Sequence, residues 1–153
     1  MAPVEKLELE REVSCPADKF YEFMKKDAAQ LPQILPEYYK SCELLHGDGK
    51  SVGTIRLWKY TLGGPEVLVA KETIKSIDDR NKTVTYSIFE GDLKRMYKSF
   101  DIVLEVVPKG SNGSLVKGHI VYEKEHEDHP HPHPYLELFK NVANTLDSHL
   151  RKA

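Results

Sequence analysis

The chain has 153 residues, 40% hydrophobic and 30% charged, a globular composition that excludes disordered and fibrous classes and sets the expectation of one domain over residues 1–153. Lys plus Arg number 22 against 24 Asp plus Glu, a net charge of −2, which argues against nucleic acid as the main partner and offers no electrostatic hold on an anionic membrane. No run approaches roughly 18 apolar residues, no basic and apolar leader opens the chain, and Cys15 and Cys42 make no disulfide framework, so a cytoplasmic protein with reduced thiols is expected, monomeric or weakly dimeric.

Residues 4–13 alternate loosely, with Val4, Leu7, Leu9 and Val13 among charged residues, and read as a half-buried strand. Pro16 opens a short helix, since its fixed φ suits a first turn, and residues 17–26 place Phe20, Phe23 and Met24 at helical spacing. Pro32 and Pro36 limit a second short helix to residues 28–35. From Tyr39 the texture changes to strands and turns: 41–46, 54–62, 67–77, 83–89, 94–107 and 114–124, joined by Gly-, Asp- and Asn-bearing connections. Six such segments without intervening helices predict an antiparallel meander. The tract His126–Pro134 interrupts the pattern, and residues 135–152 form one long helix with Tyr135, Phe139, Val142, Leu146 and Leu150 on a stripe. The predicted order is α+β: strand, two short helices, six strands, long helix. Seven strands and one amphipathic helix bury both apolar faces only if the sheet curls around the helix.

Strand alternation names the inner face. It carries Arg56, Trp58 and Tyr60, then Ala70, Glu72 and Ile74, then Val84, Tyr86 and Ile88. Phe100, Ile102, Leu104 and Val106 follow, and finally Val116, Gly118, Ile120 and Tyr122. Two readings fit this face: an ordinary packed core, or a ligand cavity with aromatic walls and a few convergent polar groups. Gly118 favours space, because it sits where a strand side chain would pack.

Several blocks carry a resemblance. They are Gly53-Thr54-Ile55-Arg56-Leu57-Trp58-Lys59-Tyr60, Ala70-Lys71-Glu72, Phe89-Glu90-Gly91-Asp92-Leu93, Tyr97-Lys98-Ser99-Phe100, Pro108-Lys109-Gly110, Gly113-Ser114-Leu115-Val116-Lys117, Tyr122-Glu123-Lys124 and Tyr135-Leu136. In this order they resemble the plant major latex protein group of the birch-pollen-allergen and pathogenesis-related class ten superfamily. The resemblance implies a helix-grip (START-like) fold with an internal hydrophobic cavity, and carriers or sensors of apolar plant hormones, steroids, flavonoids, alkaloids or xenobiotics, related to defence and stress. A minority of that superfamily are isomerising or condensing enzymes of alkaloid metabolism, which is the alternative function. The group often carries tryptophan at the position of Gly118, so the glycine is expected to enlarge the cavity. The gate and latch of the abscisic-acid receptors, which share the fold, are absent at Leu62-Gly63-Gly64-Pro65-Glu66 and Asp92-Leu93-Lys94.

The ligand-binding set expected on these grounds is Arg56, Trp58, Tyr60, Ala70, Glu72, Val84, Tyr86, Ile88, Phe100, Ile102, Val116, Gly118, Ile120, Tyr135, Phe139 and Val142. Arg56 and Glu72 stand out, because an inward charge among apolar residues must be paired or change its protonation. They are either a structural ion pair or a polar anchor for a ligand hydroxyl or carbonyl. An enzyme would need an acid–base pair in the cavity, and Glu72, Tyr86 and, if a bulge reverses the alternation, His119 are the available groups. Gly49-Lys50-Ser51 is no phosphate loop: Leu44 occupies the first glycine position and a strand, not a helix, follows. Alternating proline favours an extended path, so His129, His131 and His133 do not automatically converge on one metal, and the tract reads as a solvated loop before the helix, with adventitious zinc or nickel binding as the alternative. Neither cysteine has a local His and carboxylate, so no nucleophilic triad, cofactor or metal is expected.

Overall fold

A computed structural model describes residues 3–152. Its strands are β1 (Val4–Val13), β2 (Tyr39–His46), β3 (Ile55–Tyr60), β4 (Leu68–Asp78), β5 (Thr83–Gly91), β6 (Tyr97–Lys109) and β7 (Gly113–Lys124). Its helices are α1 (Ala17–Glu22), α2 (Leu31–Ile34) and α3 (His133–Lys152). The strands form one antiparallel sheet in the order β1-β7-β6-β5-β4-β3-β2. The first two strands are therefore opposite edges, and the segment containing α1 and α2 carries the chain from one edge to the other.

The element order is the predicted one, and the differences are local. The first helix stops at Glu22, where the chain widens into a turn of π-helix over Phe23–Asp27 and then tightens into a 3-10 turn over Ala28–Gln30. The expected strand over 94–107 begins instead as a 3-10 turn, Asp92–Arg95, and pairs only from Tyr97. Helix α3 starts at His133, two residues before the expected Tyr135, with Pro134 in its first turn. Proline is well placed there, since the first N–H groups of a helix have no intrahelical acceptor.

Register shifts interrupt the ladders at Tyr39/Ser41, Leu44/His46, Lys71/Glu72, Ile74/Ser76 and Tyr97/Ser99. Each adds local twist, which lets one face of the sheet wrap α3. Gly91 ends β5 at φ +118°, and a Cβ there would lie 2.1 Å from the Val69 carbonyl oxygen. Only glycine lets β5 pass so close to β4 at that conformation. Helix α3 turns Leu138, Val142, Ala143, Leu146 and Leu150 inward. Asp147 anchors it to the end of β1, accepting the N–H groups of Ser14 (3.1 Å) and Cys15 (2.9 Å). No helix among the described residues is long and apolar enough to cross a membrane.

Candidate functional site: an apolar cavity with one polar end

Between the concave sheet face, α3 and the segment around α2 lies a cavity of about 140 Å3. An apolar protein cavity of roughly this size, about 150 Å3, holds a benzene ring. The walls are almost wholly apolar: Met24, Ala28 and Leu31 from the helical segment, Ile88, Ile102 and Ile120 from the sheet, and Leu136, Leu138, Phe139 and Val142 from α3.

Polar groups gather in two places. On one side Arg56 and Glu72 lie directly opposite each other on β3 and β4. Arg56 Nη1 donates to Glu72 Oε1 at 3.2 Å, with the two side chains 2% and 11% exposed. Arg56 Nη2 donates to the Gly49 carbonyl at 2.6 Å, so the β2–β3 loop steers the guanidinium. That loop is itself held by Asp48, which accepts the Lys50 and Ser51 N–H groups at 2.9 Å and the Ser51 hydroxyl at 2.7 Å. These bonds hold the Asp48 carboxyl down at about 2. Burial pushes the Glu72 carboxyl above its ordinary value, and the Arg56 charge only partly offsets it. The indole N–H of Trp58 faces the same carboxylate outside hydrogen-bonding geometry, and it has no acceptor among the described residues. The Tyr39 ring stacks obliquely on Trp58, centroids 5.3 Å apart.

Elsewhere in the lining, the hydroxyls of Tyr60 and Tyr135 share a short hydrogen bond that ties β3 to the first turn of α3. Burial raises Tyr60 to about 12 and also pushes Tyr135 up, so both stay protonated. Tyr86 donates to the Met24 carbonyl at 2.8 Å, within the π-helical turn, and burial pushes its hydroxyl upward too.

The structure gathers most of the residues expected from the sequence. Arg56, Trp58, Tyr60, Ala70, Glu72, Tyr86, Ile88, Ile102, Gly118, Ile120, Tyr135, Phe139 and Val142 all line the cavity. Val84, Phe100 and Val116 do not: they are fully buried in the core beside it, 0% exposed. Alternation assigns a residue to a face, not to a depth along the strand, so it cannot separate the cavity floor from packed core. Sequence reasoning missed Met24, Ala28, Leu31, Tyr39, Leu93, His119, Leu136 and Leu138 as lining, although the His119 imidazole itself is turned toward Glu8. Leu138 falls one residue before the assigned Phe139 on the same helical turn and was legible; the segment around Ala28, whose helical period changes twice, was not.

Gly118 needs a correction. It borders the cavity but opens no space, because the Phe139 ring is seated on it and a Cβ would lie 2.7 Å from Phe139 Cζ. The missing side chain is filled from α3. His119 follows strict alternation to the outer face, its Nδ1 3.5 Å from Glu8 Oε1. In the proline-spaced tract, His131 Nδ1 shares a 2.5 Å hydrogen bond with the Tyr122 hydroxyl, and Tyr97 donates to the Pro130 carbonyl at 2.5 Å. The tract is therefore tied to the sheet rather than merely solvated. No group of three or more His, Cys, Asp or Glu among the described residues could hold a metal ion.

The sequence matches the pathogenesis-related protein Bet v 1 family over residues 2–153. It is 38% identical to MLP-like protein 34 of Arabidopsis thaliana across 95% of this chain and 46% of that protein, so it spans about half of that relative's length. It is 37% identical to Major latex protein 146 of Papaver somniferum across 96% of this chain and 91% of that protein. Among solved structures, ginseng major latex-like protein 151 from Panax ginseng superposes with a TM-score of 0.90 at 29% identity, covering 95% of this chain and 97% of that one.

Proposed function

This chain belongs to the pathogenesis-related protein Bet v 1 family, and on that footing we propose that it binds hydrophobic small molecules in its internal cavity and carries or senses them. It acts as a single ligand-binding unit in the cytoplasm, as a monomer or weak homodimer, in a stress or defence setting. The observation that carries this reading is the apolar cavity of about 140 Å3 between sheet and helix. Burial of apolar ligand surface, at about 25 cal/mol per Å2, supplies the affinity, and so few polar contacts imply broad selectivity.

The chemistry favours carriage over catalysis. Of the groups available as acid or base, His119 lies on the outer face, Tyr86 is committed to the Met24 carbonyl, and Glu72 is paired with Arg56. An isomerising or condensing enzyme needs an acid and a base that act together on the substrate, and with Tyr86 committed and His119 turned outward, Glu72 has no second member of this set to work with.

Titration with an environment-sensitive naphthalene dye tests the reading. Saturable binding in the micromolar range, about −8 kcal/mol, is expected; no saturable binding below about 1 mM, roughly −4.1 kcal/mol, overturns it.

A further inference from the structure

The polar end of the cavity has more hydrogen-bonding capacity than the protein uses. Glu72 spends Oε1 on Arg56, while Oε2 has no hydrogen-bond partner among the described residues. The Trp58 N–H is buried and without an acceptor. The Tyr39 hydroxyl lines the same end, close enough to feel the Glu72 charge, and makes no hydrogen bond among the described residues. The Trp58 N–H is the costly one to leave unmade, since buried polar groups in folded proteins are almost always satisfied and exceptions need a reason; Glu72 Oε2 and the Tyr39 hydroxyl, unpartnered among the described residues, lie beside it. Here one acceptor and two donors converge on one end of an otherwise apolar chamber.

Charge narrows what fits. Arg56 and Glu72 cancel, and the guanidinium is already held by Glu72 Oε1 and the Gly49 carbonyl. A carboxylate would be repelled by Glu72, and an ammonium would approach Arg56. A neutral group that both donates and accepts meets neither objection.

We propose that Tyr39, Trp58 and Glu72 form a head-group subsite for a neutral hydroxylated ligand, a phenol or aryl alcohol whose ring fills the apolar chamber. The hydroxyl hydrogen goes to Glu72 Oε2, and the hydroxyl oxygen accepts from Tyr39 and Trp58. This rests on the carrier reading and adds the class of ligand to it. A one-ring ligand also matches a cavity of about 140 Å3, without requiring Phe139 to leave Gly118.

Paired calorimetric titrations with p-cresol and toluene, which differ by one hydroxyl, separate the two claims. A purely apolar cavity prefers toluene, because burying an unpaired hydroxyl is unfavourable. The subsite predicts the reverse, with p-cresol bound about tenfold tighter. Trp58 is the single tryptophan, so a change in its fluorescence on saturation with p-cresol is expected as well. Tyr39→Phe and Trp58→Phe should each shrink the p-cresol advantage over toluene several-fold, with the far-UV ellipticity of each variant as the check on folding. Toluene bound as tightly as p-cresol, or a p-cresol advantage untouched by Tyr39→Phe, overturns the subsite and leaves the carrier reading standing. Failure of both probes to bind, with the naphthalene dye bound, overturns the subsite alone; failure of all three overturns both.

Discussion

Arg56 and Glu72 show how far alternation reaches and where it stops. Alternation put both on the inner face of neighbouring strands, and the ladder sets them directly opposite, 3.2 Å apart. What it could not supply was the third dimension: the Gly49 carbonyl under the guanidinium and the Tyr39 ring beside Trp58 depend on a loop and an edge strand whose paths no periodicity encodes. The pair's energetics are testable. Arg56→Met strands a buried carboxylate and should cost about 3–5 kcal/mol in urea unfolding, whereas replacing both residues by apolar ones of similar volume should cost far less than the sum of the single changes. Additive losses would show that the two charges do not support each other. Protonation gives a second readout. Burial raises the Glu72 carboxyl above its ordinary 4.5, so in the window just above that value the folded state holds a proton that the unfolded state has lost. This residue's contribution to stability is therefore complete below the window and falls as pH rises through it. Unfolding measured across the mildly acidic range should show Glu72→Gln gaining on the wild type as pH rises, and a constant difference would contradict the raised value.

Strands were more legible than helices because they carry a simple period and turn chemistry at their ends. Residues 4–13 and 114–124 were bounded to within one residue, while the helical segment from Ala17 to Leu35 changed from α to π to 3-10 and back. Its two prolines marked limits but not the winding between them. The packing of α3 on β7 was illegible for another reason: a glycine in a strand announces a close approach without naming what approaches. The answer is Phe139, whose ring covers Gly118. A side chain at position 118 therefore meets that ring instead of filling a void. Gly118→Ala should destabilise by about 1–3 kcal/mol through overpacking and weaken dye binding, because the ring it displaces also lines the cavity. The same change made on a Phe139→Leu background should cost markedly less. An equal cost on both backgrounds would show that the strain comes from the strand and not from the helix.

Helix α3 is held to the rest of the molecule along its whole length. Tyr135 bonds to Tyr60 on β3, Asn141 donates to the Tyr38 hydroxyl at 3.0 Å, Arg11 of β1 donates to Asn144 at 3.1 Å, and Asp147 takes the Ser14 and Cys15 N–H groups. Near its end, Lys19 of α1 donates to the Leu150 carbonyl at 2.8 Å. Both edge regions of the sheet and the helical segment between them thus converge on one helix, and the cavity lies inside the core that they share. The walls of the cavity are therefore expected to unfold together rather than one at a time. A ligand that binds only the intact cavity must then stabilise the whole molecule, by RT ln(1 + [L]/Kd). With the naphthalene dye at roughly 100 times its Kd, the free energy of urea unfolding should rise by about 2.7 kcal/mol. Far-UV ellipticity, which follows helix and sheet together, should shift by the same amount as Trp58 fluorescence, which reports the polar end of the cavity. A shift confined to the fluorescence curve would mean that the cavity wall opens independently of α3, and the grip of the sheet on the helix would not be the cooperative unit that these contacts describe.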